Sequence, residues 1–505
     1  MKIFTAEQIR RVDAFTIENE PIASVDLMER AAKALCKWII MNFEPSSGFK
    51  ILAGPGNNGG DAWALARLLV ENNYSDIEFY LLNLSGKISP DSEINRERLL
   101  KQNKIKIKEI TSPEHFPQFN NHDVIIDGLF GSGLSRTLKG LSGEFVQHIN
   151  ASAKKALVAI DVPSGLFCED NSTNIPENIV RADFTLSFQF SKFAFFLSEN
   201  SENTGEVHIL DIGLSKDFIE DEPTPYNYLA KQDITPLIKI RKKFSHKGTY
   251  GHGLLIAGSY GMMGAAILAA KAALRSGVGL LTTHIPRYGY NILQTSLPES
   301  LVSIDESDII YTEVTHLDKY NAIAVGPGLC TKHNTVIALK KLLSECKVPI
   351  VIDADAINII AANGFIDNIP ANSVLTPHPK EFDRLFGNHT NQLQRIETQL
   401  KYSNQQEIYI ILKGANTSIS TPDGKLFFNT TGNPGMATGG SGDVLTGILL
   451  AMLSQDFSIE ASCLTSVYLH GQAADFALKN SSIYSLLPSD IINHLGQAFA
   501  SHLHL

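Results

Sequence analysis

The sequence reads Gly432-Asn433-Pro434-Gly435-Met436-Ala437-Thr438-Gly439-Gly440-Ser441-Gly442-Asp443-Val444-Leu445 across a run dominated by glycine and other small residues. The apolar segment 448–453 follows it, so the run predicts a loop that leads into a helix starting near Gly442. Glycines allow backbone N–H groups to converge, and a helix N-terminus carries unpaired donors and roughly half a positive charge. The pattern therefore predicts a cradle for an anion such as phosphate.

Asp443 places a carboxylate inside this predicted anion site. We expect the helix dipole to hold it ionised, so that it can act as a base on a hydroxyl group while the loop neutralises a phosphoryl group. The alternative is a helix cap, a common position for Asp, but the glycines extend further than a cap requires. No G-x-x-x-x-G-K-[ST] sequence occurs in the chain, so phosphate binding by a P-loop is not predicted.

Length and composition predict a globular protein of two or three domains. The chain has 505 residues, of which 44% are hydrophobic and 19% charged, and its net charge of -10 argues against a nucleic-acid surface. The five cysteines are widely spaced and form no C-x-x-C pair, which predicts reduced thiols and no zinc site. The sequence shows neither a signal-peptide core nor an apolar run close to the ~20 residues of a membrane span, so we expect a cytoplasmic protein.

A strand–loop–helix–strand unit is predicted near the N-terminus. Its loop, Gly54–Asp61, matches G-x-G-x-x-G, and its helix is predicted from Ala62 to Glu71. A dinucleotide site would also need an acidic residue at the end of the following strand, where Asn83 stands. Ordinary NAD binding is therefore not predicted, whereas phosphate binding at this loop stays open.

Two further predicted strands end in an aspartate, Asp127 and Asp161. The carboxyl ends of parallel strands lie at one edge of a sheet, so we expect both residues to converge with the Asn57–Asp61 loop on one crevice. A lone strand-end Asp is more often a cap or a turn former, but three such loops with neighbouring glycines favour a site. Asn58, Asp127 and Ser164 offer oxygen ligands, which suit a hard cation better than zinc.

The segment 216–235 is acidic, contains prolines and lacks apolar periodicity. We predict that it links a domain at 1–215 to a second domain at 236–505. In the second domain apolar strands alternate with helices, which predicts a parallel sheet covered by helices on both faces.

Two sets of motifs resemble known families. The run Gly432–Leu445, with Lys413–Thr417 upstream, resembles the ribokinase-like superfamily and, more closely, its ADP-dependent NAD(P)H-hydrate dehydratases. The second set resembles the NAD(P)H-hydrate epimerase family and comprises Ser24–Ala31, Asn57–Asp61, Asp127-Gly128 and Asp161–Leu166. The implied fold class is α/β, with an N-terminal Rossmann-like three-layer domain followed by a ribokinase-like α/β domain, both with mostly parallel sheets.

The epimerase resemblance implies a potassium ion (K+) held by Asn58, Asp127 and Ser164, with Asp161 as the acid/base. The residues that it implies in contact with the hydrated nucleotide are Asn57, Asn58, Gly59, Gly60, Asp61, Gly131, Ser132, Gly133, Leu134, Ser135, Arg136, Thr137 and Asp161. For Lys192, a place in the site and a solvated position with a packed stem are both open.

The dehydratase resemblance implies that Asp443 is the base and that ADP binds with Mg2+, which Glu381 would orient through water. The implied substrate contacts are Ala265, Gly328, His378 and Asp443, and the implied nucleotide contacts are Lys413, Gly414, Ala415, Asn416, Thr417 and Gly442. His378 stands between two prolines, and a structural role and a ligand contact are both open for it. For Asp353 and Asp355, a role only as helix caps and a part in the site are both open.

Together the resemblances imply a homo-oligomeric repair enzyme for hydrated NADH and NADPH (NADHX and NADPHX). Its N-terminal domain would interconvert the R and S hydrates, and its C-terminal domain would dehydrate the S hydrate while ADP is converted to AMP and phosphate. One alternative is a ribokinase-like small-molecule hydroxyl kinase with a regulatory N-terminal domain. Another is a non-catalytic N-terminal scaffold, against which the presence of Asp127 and Asp161 argues. The sequence does not decide between ADP and ATP as the donor.

Overall fold

Two sheets, one in each half of the chain, contain the strands whose carboxyl ends are predicted to bear functional residues. The computed structural model describes residues 1–83 and 86–503. Contacts divide the chain into Lys2–Thr224 and a second unit formed by Met1 with Pro225–Leu505. The predicted linker, 216–235, is not a free connection, because it contains a helix of the first unit and an edge strand of the second sheet.

The sheet of the N-terminal unit is parallel throughout its described strands, in the order β3-β2-β1-β4-β5-β6-β7. Its strands are β1 (Gly48–Ala53), β2 (Ile77–Leu82), β3 (Ile107–Ile110), β4 (Asp123–Gly128), β5 (Ala156–Ile160), β6 (Phe184–Phe188) and β7 (Glu206–Leu210). The α-helices of this unit are α1 (Ala6–Asn19), α2 (Ser24–Asn42), α3 (Asn57–Glu71), α4 (Pro90–Leu100), α5 (Leu141–Ala151), α6 (Ser201–Thr204) and α7 (Lys216–Asp221).

The sheet of the C-terminal unit has the order β11-β10-β9-β12-β13-β14-β15-β16-β17-β8. It is parallel except at β16, which runs antiparallel to both of its neighbours. Its strands are β8 (Tyr226–Tyr228), β9 (His252–Ile256), β10 (Leu280–Ile285), β11 (Leu301–Ile304), β12 (Ala322–Val325), β13 (Ile350–Ile352), β14 (Val374–Leu375), β15 (Tyr409–Leu412), β16 (Ser418–Ser420) and β17 (Leu426–Phe428). The α-helices are α8 (Lys231–Ile234), α9 (Met263–Arg275), α10 (Tyr290–Ser296), α11 (His333–Glu345), α12 (Ala354–Asn363), α13 (Pro379–Phe386), α14 (Gln392–Gln405), α15 (Ser441–Ser454), α16 (Ile459–Leu478) and α17 (Pro488–Ala500).

Strand order places one crevice in each unit. The central strands β1, β4, β5 and β12 are buried along their whole length, which agrees with their apolar sequences and with helices on both faces of each sheet. The chain reverses direction across the sheet between β1 and β4 and again between β9 and β12. In open parallel sheets ligands bind outside the carboxyl ends of the strands at such a reversal. The α/β fold is confirmed, and it places one candidate site at the carboxyl ends of the strands in each unit.

Helix α3 starts at Asn57, so the predicted start at Ala62 is wrong. A Cβ atom on Gly59 would lie 1.9 Å from the carbonyl oxygen of Gly54, and one on Gly60 would lie 2.6 Å from the sulfur of Met28. These glycines let the first turn of the helix pack tightly against its surroundings rather than forming an open loop. In the described part of the chain, no helix combines the length and apolar character needed to cross a bilayer.

Close packing of α15 on α9 depends on Gly447, where a Cβ atom would lie 2.1 Å from the carbonyl oxygen of Ala269. We expect Gly447→Ala to lower the free energy of unfolding by roughly 1–3 kcal/mol, because the added methyl group overpacks the interface. Denaturant-induced unfolding of the full chain measures the change. The matched control is Gly496→Ala on α17, where a Cβ atom meets nothing within 4 Å. That control should keep or raise stability by up to about 1 kcal/mol.

Candidate active sites

A cavity of about 790 Å³ lies in the C-terminal unit, a size typical of small-molecule sites. It is bounded by the ends of β13 and β15, the 429–440 loop, the start of α15 and part of α16. The residues that line it are Asp353, Ala354, His378, Lys413, Gly414, Ala415, Thr417, Asn429, Thr431, Gly432, Asn433, Pro434, Met436, Ala437, Thr438, Gly440, Ser441, Gly442, Asp443, Leu445, Val467, His470 and Gly471.

The loop before α15 is held by side-chain contacts that leave its helix end facing the cavity. Asp475 on α16 accepts hydrogen bonds from the backbone of Gly432 and from the Asn433 amide, both at 2.9 Å. Gly440 adopts a left-handed φ of 98° and is the N-cap, so α15 begins at Ser441. The first N–H groups of a helix lack intrahelical partners, and they stand here at the wall of the cavity. The predicted loop and helix start are confirmed.

Asp443 lies in the first turn of α15 and lines the cavity, so its interpretation as the helix cap is wrong. Burial raises the pKa of Asp443 to about 7, the nearby Asp353 carboxylate adds to the rise, and Lys413 opposes it. Burial thus moves the pKa of Asp443 well above the usual range of a carboxyl group, and the carboxyl is about half ionised at pH 7. A carboxylate with a pKa near 7 is well matched to general-base catalysis at neutral pH.

Lys413 and Asp353, which both line this cavity, form an ion pair in which Asp353 is buried and Lys413 is half-buried. The Lys413 ammonium donates to Asp353 at 2.9 Å, and the Thr446 hydroxyl donates to the other carboxylate oxygen at 2.7 Å. Asp353 occupies the N-cap position of α12 but makes no capping bond, so its interpretation as only a cap is wrong. A Cβ atom on Gly442 would lie 3.3 Å from the Lys413 nitrogen. The structure thus brings together the predicted Lys413 and Gly442 segments.

His378 has the structural role that the sequence left open, whereas its contact with a ligand stays a prediction. Its Nδ1 atom accepts hydrogen bonds from the backbone of Lys380 and Glu381, which caps α13, and Glu381 accepts from the His378 backbone at 2.8 Å. The ring also lines the cavity. Glu381 is buried, with one oxygen 3.9 Å from the Lys413 nitrogen. Neighbouring Asp355, the other predicted cap, accepts from the backbone of Cys330 at 2.9 Å.

Ala265 and Gly328 meet each other but do not line the large cavity. A Cβ atom on Gly328, whose φ is 62°, would lie 3.2 Å from the Cβ of Ala265 and 2.8 Å from the carbonyl oxygen of Met262. Both residues follow the carboxyl ends of central strands, β9 and β12. Their predicted contact with substrate stays a prediction. Asn416 likewise lies outside the cavity lining, whereas the other predicted nucleotide contacts belong to it.

Sequence reasoning missed His470, which lies on α16 and lines the cavity. Its Nε2 atom is 3.4 Å from the Ser441 hydroxyl. Burial, together with the nearby Lys413 charge, lowers the pKa of His470 to about 4, so the ring is neutral near pH 7. Helix α16 is buried on most of its surface, and a histidine within such an apolar helix carries no sequence signal that separates it from a core residue.

A second cavity, of about 470 Å³, lies at the carboxyl ends of β1, β4, β5 and β6 in the N-terminal unit. The residues that line it are Ile9, Arg10, Asp13, Pro55, Gly56, Asn57, Asn58, Asp61, Leu129, Phe130, Gly131, Ser132, Gly133, Leu134, Asp161, Phe188, Lys192, Ile212 and Leu214. Seven predicted contacts, together with Asp161, therefore meet here. Gly59 and Gly60 are instead packed inside the unit, and Ser135, Arg136 and Thr137 are not part of this lining.

Asp161 is the most constrained residue of the N-terminal cavity. Its φ of 62° is left-handed, which is rare outside glycine and is found at functional sites. The carboxylate accepts from the backbone of Ser132 at 3.2 Å and pairs with the Lys192 ammonium at 3.0 Å. Burial raises the pKa of Asp161, but Lys192 and Ser132 lower it by more, so it is ionised. Lys192 is 1% exposed, so its interpretation as a solvated lysine is wrong.

Asp127 and Ser164 are hydrogen-bonded to each other next to this cavity, where Ser164 also accepts from the backbone of the lining residue Phe130, and Asn58 lies in the lining itself. Asp127 accepts from the hydroxyl and backbone of Ser164 at 2.6 and 2.8 Å, and burial raises its pKa to about 6. A Cβ atom on Gly131 would lie 2.8 Å from the amide oxygen of Asn58, whose amide nitrogen has no partner among the described residues. No cluster of three His, Cys, Asp or Glu residues suited to a metal occurs in residues 1–83 and 86–503. The group thus offers mainly neutral oxygen ligands.

The two cavities define an α/β enzyme with one site in a Rossmann-like unit and another in a ribokinase-like unit. Residues 253–497 match the family described as NAD(P)H-hydrate dehydratase, and residues 24–194 match the family described as YjeF-related protein N-terminus. The crystal structure of a ribokinase-like superfamily protein from Enterococcus faecalis is similar, with 28% identity and a TM-score of 0.51 over 56% of this chain and 99% of that chain.

Two relatives match this chain over nearly its whole length. The bifunctional NAD(P)H-hydrate repair enzyme of Moorella thermoacetica is 32% identical over 98% of this chain and 96% of its own length. The enzyme of the same description from Coxiella burnetii is 32% identical over 98% of both chains. The chain belongs to the family of bifunctional NAD(P)H-hydrate repair enzymes.

Replacing Asp353 tests the electrostatic link within the C-terminal site. We expect Asp353→Asn to lower the pKa of Asp443 from about 7, because a negative charge is removed and Lys413 is left free to stabilise the Asp443 carboxylate. A carboxyl-carbon NMR titration of Asp443 measures the shift. The control is Asp355→Asn, which removes the weaker of the two carboxylate influences and should shift the pKa less. An unchanged titration in Asp353→Asn would contradict the described arrangement.

Proposed function

We propose that this bifunctional repair enzyme epimerises the R and S hydrates of NADH and NADPH at the N-terminal site and dehydrates the S hydrate at the C-terminal site, with ADP as phosphoryl donor. One observation carries the dehydratase assignment. Asp443, a carboxylate with a pKa of about 7, stands in the first turn of α15 next to Gly442, which Lys413 approaches. A base and an anion cradle are therefore adjacent.

Phosphoryl transfer makes this dehydration easier. Hydroxide is a poor leaving group, since the pKa of water is ~15.7, whereas the second ionisation of a phosphate ester has a pKa near ~6. Asp443 takes the proton of the ring hydroxyl, whose oxygen bonds to the terminal phosphorus of ADP while the bond to AMP breaks. The ester then loses phosphate as its C–O bond breaks, and a proton leaves the neighbouring carbon. The products are NAD(P)H, AMP and phosphate.

The residues around Asp443 suit the transferred group. Lys413 and the first N–H groups of α15 provide positive charge and donors for a phosphoryl group in flight. The nucleotide would lie along Lys413–Thr417, four of whose five residues line the cavity. Glu381 is a hard carboxylate ligand beside Lys413, and it fits a Mg2+ ion held through water. When bound, Mg2+ neutralises charge on the phosphate oxygens.

At the N-terminal site, ionised Asp161 is the acid/base, and Asn58, Asp127 and Ser164 would hold K+. The fit to K+ comes from Asp127, a fully buried carboxylate that has no ion pair in the part of the chain that is described. K+ would compensate this charge and steady the Asn58 and Gly131 segments at the cavity wall. The five cysteines are all free, which supports a reducing cytoplasm as the location.

Asp443→Asn and Asp161→Asn test the two sites in one crossed experiment. We expect Asp443→Asn to lose dehydration by at least ~10²-fold, because the base is gone, while epimerisation continues. Asp161→Asn should lose epimerisation but still dehydrate the purified S hydrate. A mixed R/S hydrate sample is incubated with and without ADP, and recovery of the nicotinamide absorbance is followed. Wild-type turnover by either variant would refute that residue's role, and release of a phosphorylated product would favour the kinase alternative.

Potassium dependence is tested by changing the cation. We expect K+ to raise both the epimerisation rate and the thermal unfolding temperature relative to tetramethylammonium at equal ionic strength, because a ligand that binds only the folded state stabilises it. Differential scanning calorimetry measures the second effect without reference to activity. Asp127→Asn should abolish the K+-dependent shift, whereas Asp367→Asn, in the C-terminal unit, should retain it. An equal shift in wild type and Asp127→Asn would remove Asp127 from the proposed ligand set.

A further inference from the structure

Helix α1 forms one wall of the N-terminal cavity, although it precedes the matched residues 24–194. Ile9, Arg10 and Asp13 contribute this wall. Ile9 and Asp13 are four residues apart and therefore share one face of the helix. The helix brings a carboxylate to a cavity that already contains Asp161.

The position of α1 is set by its buried side. Val12 and Thr16 are fully buried, and the Thr16 hydroxyl accepts a hydrogen bond from the backbone of Ser215 at 3.0 Å. At its start, Thr5 and Gln8 form a reciprocal capping box. Packing and capping thus hold Asp13 against the cavity, as a catalytic group requires.

Asp13 shares the cavity with charged groups from four elements. These are Arg10 on α1 itself, Asp61 on α3, Asp161 after β5 and Lys192 after β6. Lys192 pairs with Asp161, so a single ammonium group neutralises that carboxylate. Burial and the Asp161 charge raise the pKa of Asp13 to about 6, and Lys192 opposes the rise. Two carboxyl groups in one cavity therefore prefer opposite protonation states, the usual arrangement of an acid and a base.

We propose that Asp13 is the proton donor of the N-terminal reaction and works opposite Asp161, the base. This assignment rests on the proposed epimerase function and adds a catalytic residue to it. The substrate supports a two-group mechanism, because adding water to the enamine double bond of the reduced ring places the hydroxyl on the carbon bonded to the ring nitrogen. Inversion at that carbon requires its C–N bond to break, with one proton transferred at the hydroxyl oxygen and another at the ring nitrogen.

The proposed step is an opening and closure of the ring in which Asp161 and Asp13 exchange protons with the substrate. Asp161 takes the hydroxyl proton, the C–N bond breaks to leave a carbonyl group, and the nitrogen keeps the electron pair and receives the proton of Asp13. After rotation the nitrogen attacks the other face of the carbonyl group. Asp13 then takes back the nitrogen proton, and Asp161 returns its proton to the oxygen. Only the configuration of the carbon has changed.

Asp61 is the competing donor, since it is buried and has no hydrogen-bond partner among the described residues. Burial raises the pKa of Asp61 well above its ordinary value, with Asp161 and Asp13 adding to the rise. A donor works best when its pKa lies near the working pH, which favours Asp13. Asp61 then contributes a neutral carboxyl group that limits the negative charge in the cavity.

The experiment compares Asp13→Asn, Asp13→Glu and Asp61→Asn in the full-length enzyme. We expect Asp13→Asn to lower kcat for epimerisation by roughly 10²-fold or more, with KM nearly unchanged, and Asp13→Glu to restore part of the rate. Wild-type kcat should fall as pH rises above about 6, because Asp13 must be protonated, and Asp13→Asn should lose this limb. Glu7→Gln, at an exposed position of the same helix, is the matched control and should keep wild-type activity.

Thermal unfolding of each variant serves as the test of folding, and dehydration of purified S hydrate, which takes place in the other unit, should be unaffected. If wild type fails to epimerise, the proposed function fails. If wild type epimerises and Asp13→Asn does so equally well, or if the alkaline limb disappears in Asp61→Asn instead, the function stands and the assignment of Asp13 is overturned.

Discussion

An ion pair between a lysine and a buried aspartate stands at the strand ends of each unit. Lys192 pairs with Asp161 in one, and Lys413 pairs with Asp353 in the other. Each cavity holds more carboxyl groups than ammonium groups, so the lysine stabilises one anion and leaves another carboxyl group with a raised pKa. Taking several charges out of water is costly unless they are paired. The protein meets this constraint by giving one carboxyl group of each set a pKa close to neutrality, about 6 for Asp13 and about 7 for Asp443.

The two sites differ in which carboxyl group has the raised pKa. In the C-terminal site the raised pKa belongs to Asp443, the proposed base, which lies beside the donors of a helix N-terminus. In the N-terminal site Asp161 is ionised, and the pKa values of the neighbouring Asp13 and Asp61 carboxyl groups are raised. A dehydratase that accepts only the S hydrate leaves the R hydrate unrepaired, so an epimerase on the same chain makes both epimers available for repair.

Glycine residues allow the helices that bear these charged groups to pack closely. Gly59 and Gly60 let the first turn of α3 pack tightly beneath the cavity, and Gly447 lets α15 pack directly on α9. Because α15 carries Asp443 in its first turn, the packing of this helix sets the depth and therefore the hydration of the carboxylate. Close packing and a raised pKa are thus two consequences of the same helix position.

The sequence alone determined the α/β class, the strand ends that carry chemistry and the run Gly432–Leu445, because apolar periodicity and glycine spacing are local properties. Only the tertiary structure decided which charges meet. It paired Lys192 with Asp161 rather than with solvent, turned Asp353 from a cap into the partner of Lys413, and brought Asp13 and His470 into the cavities from helices without a local signal. It also moved the pKa of Asp443 close to neutrality. The reason is physical, since the pKa of a carboxyl group depends on hydration and on neighbouring charges that are distant in the chain.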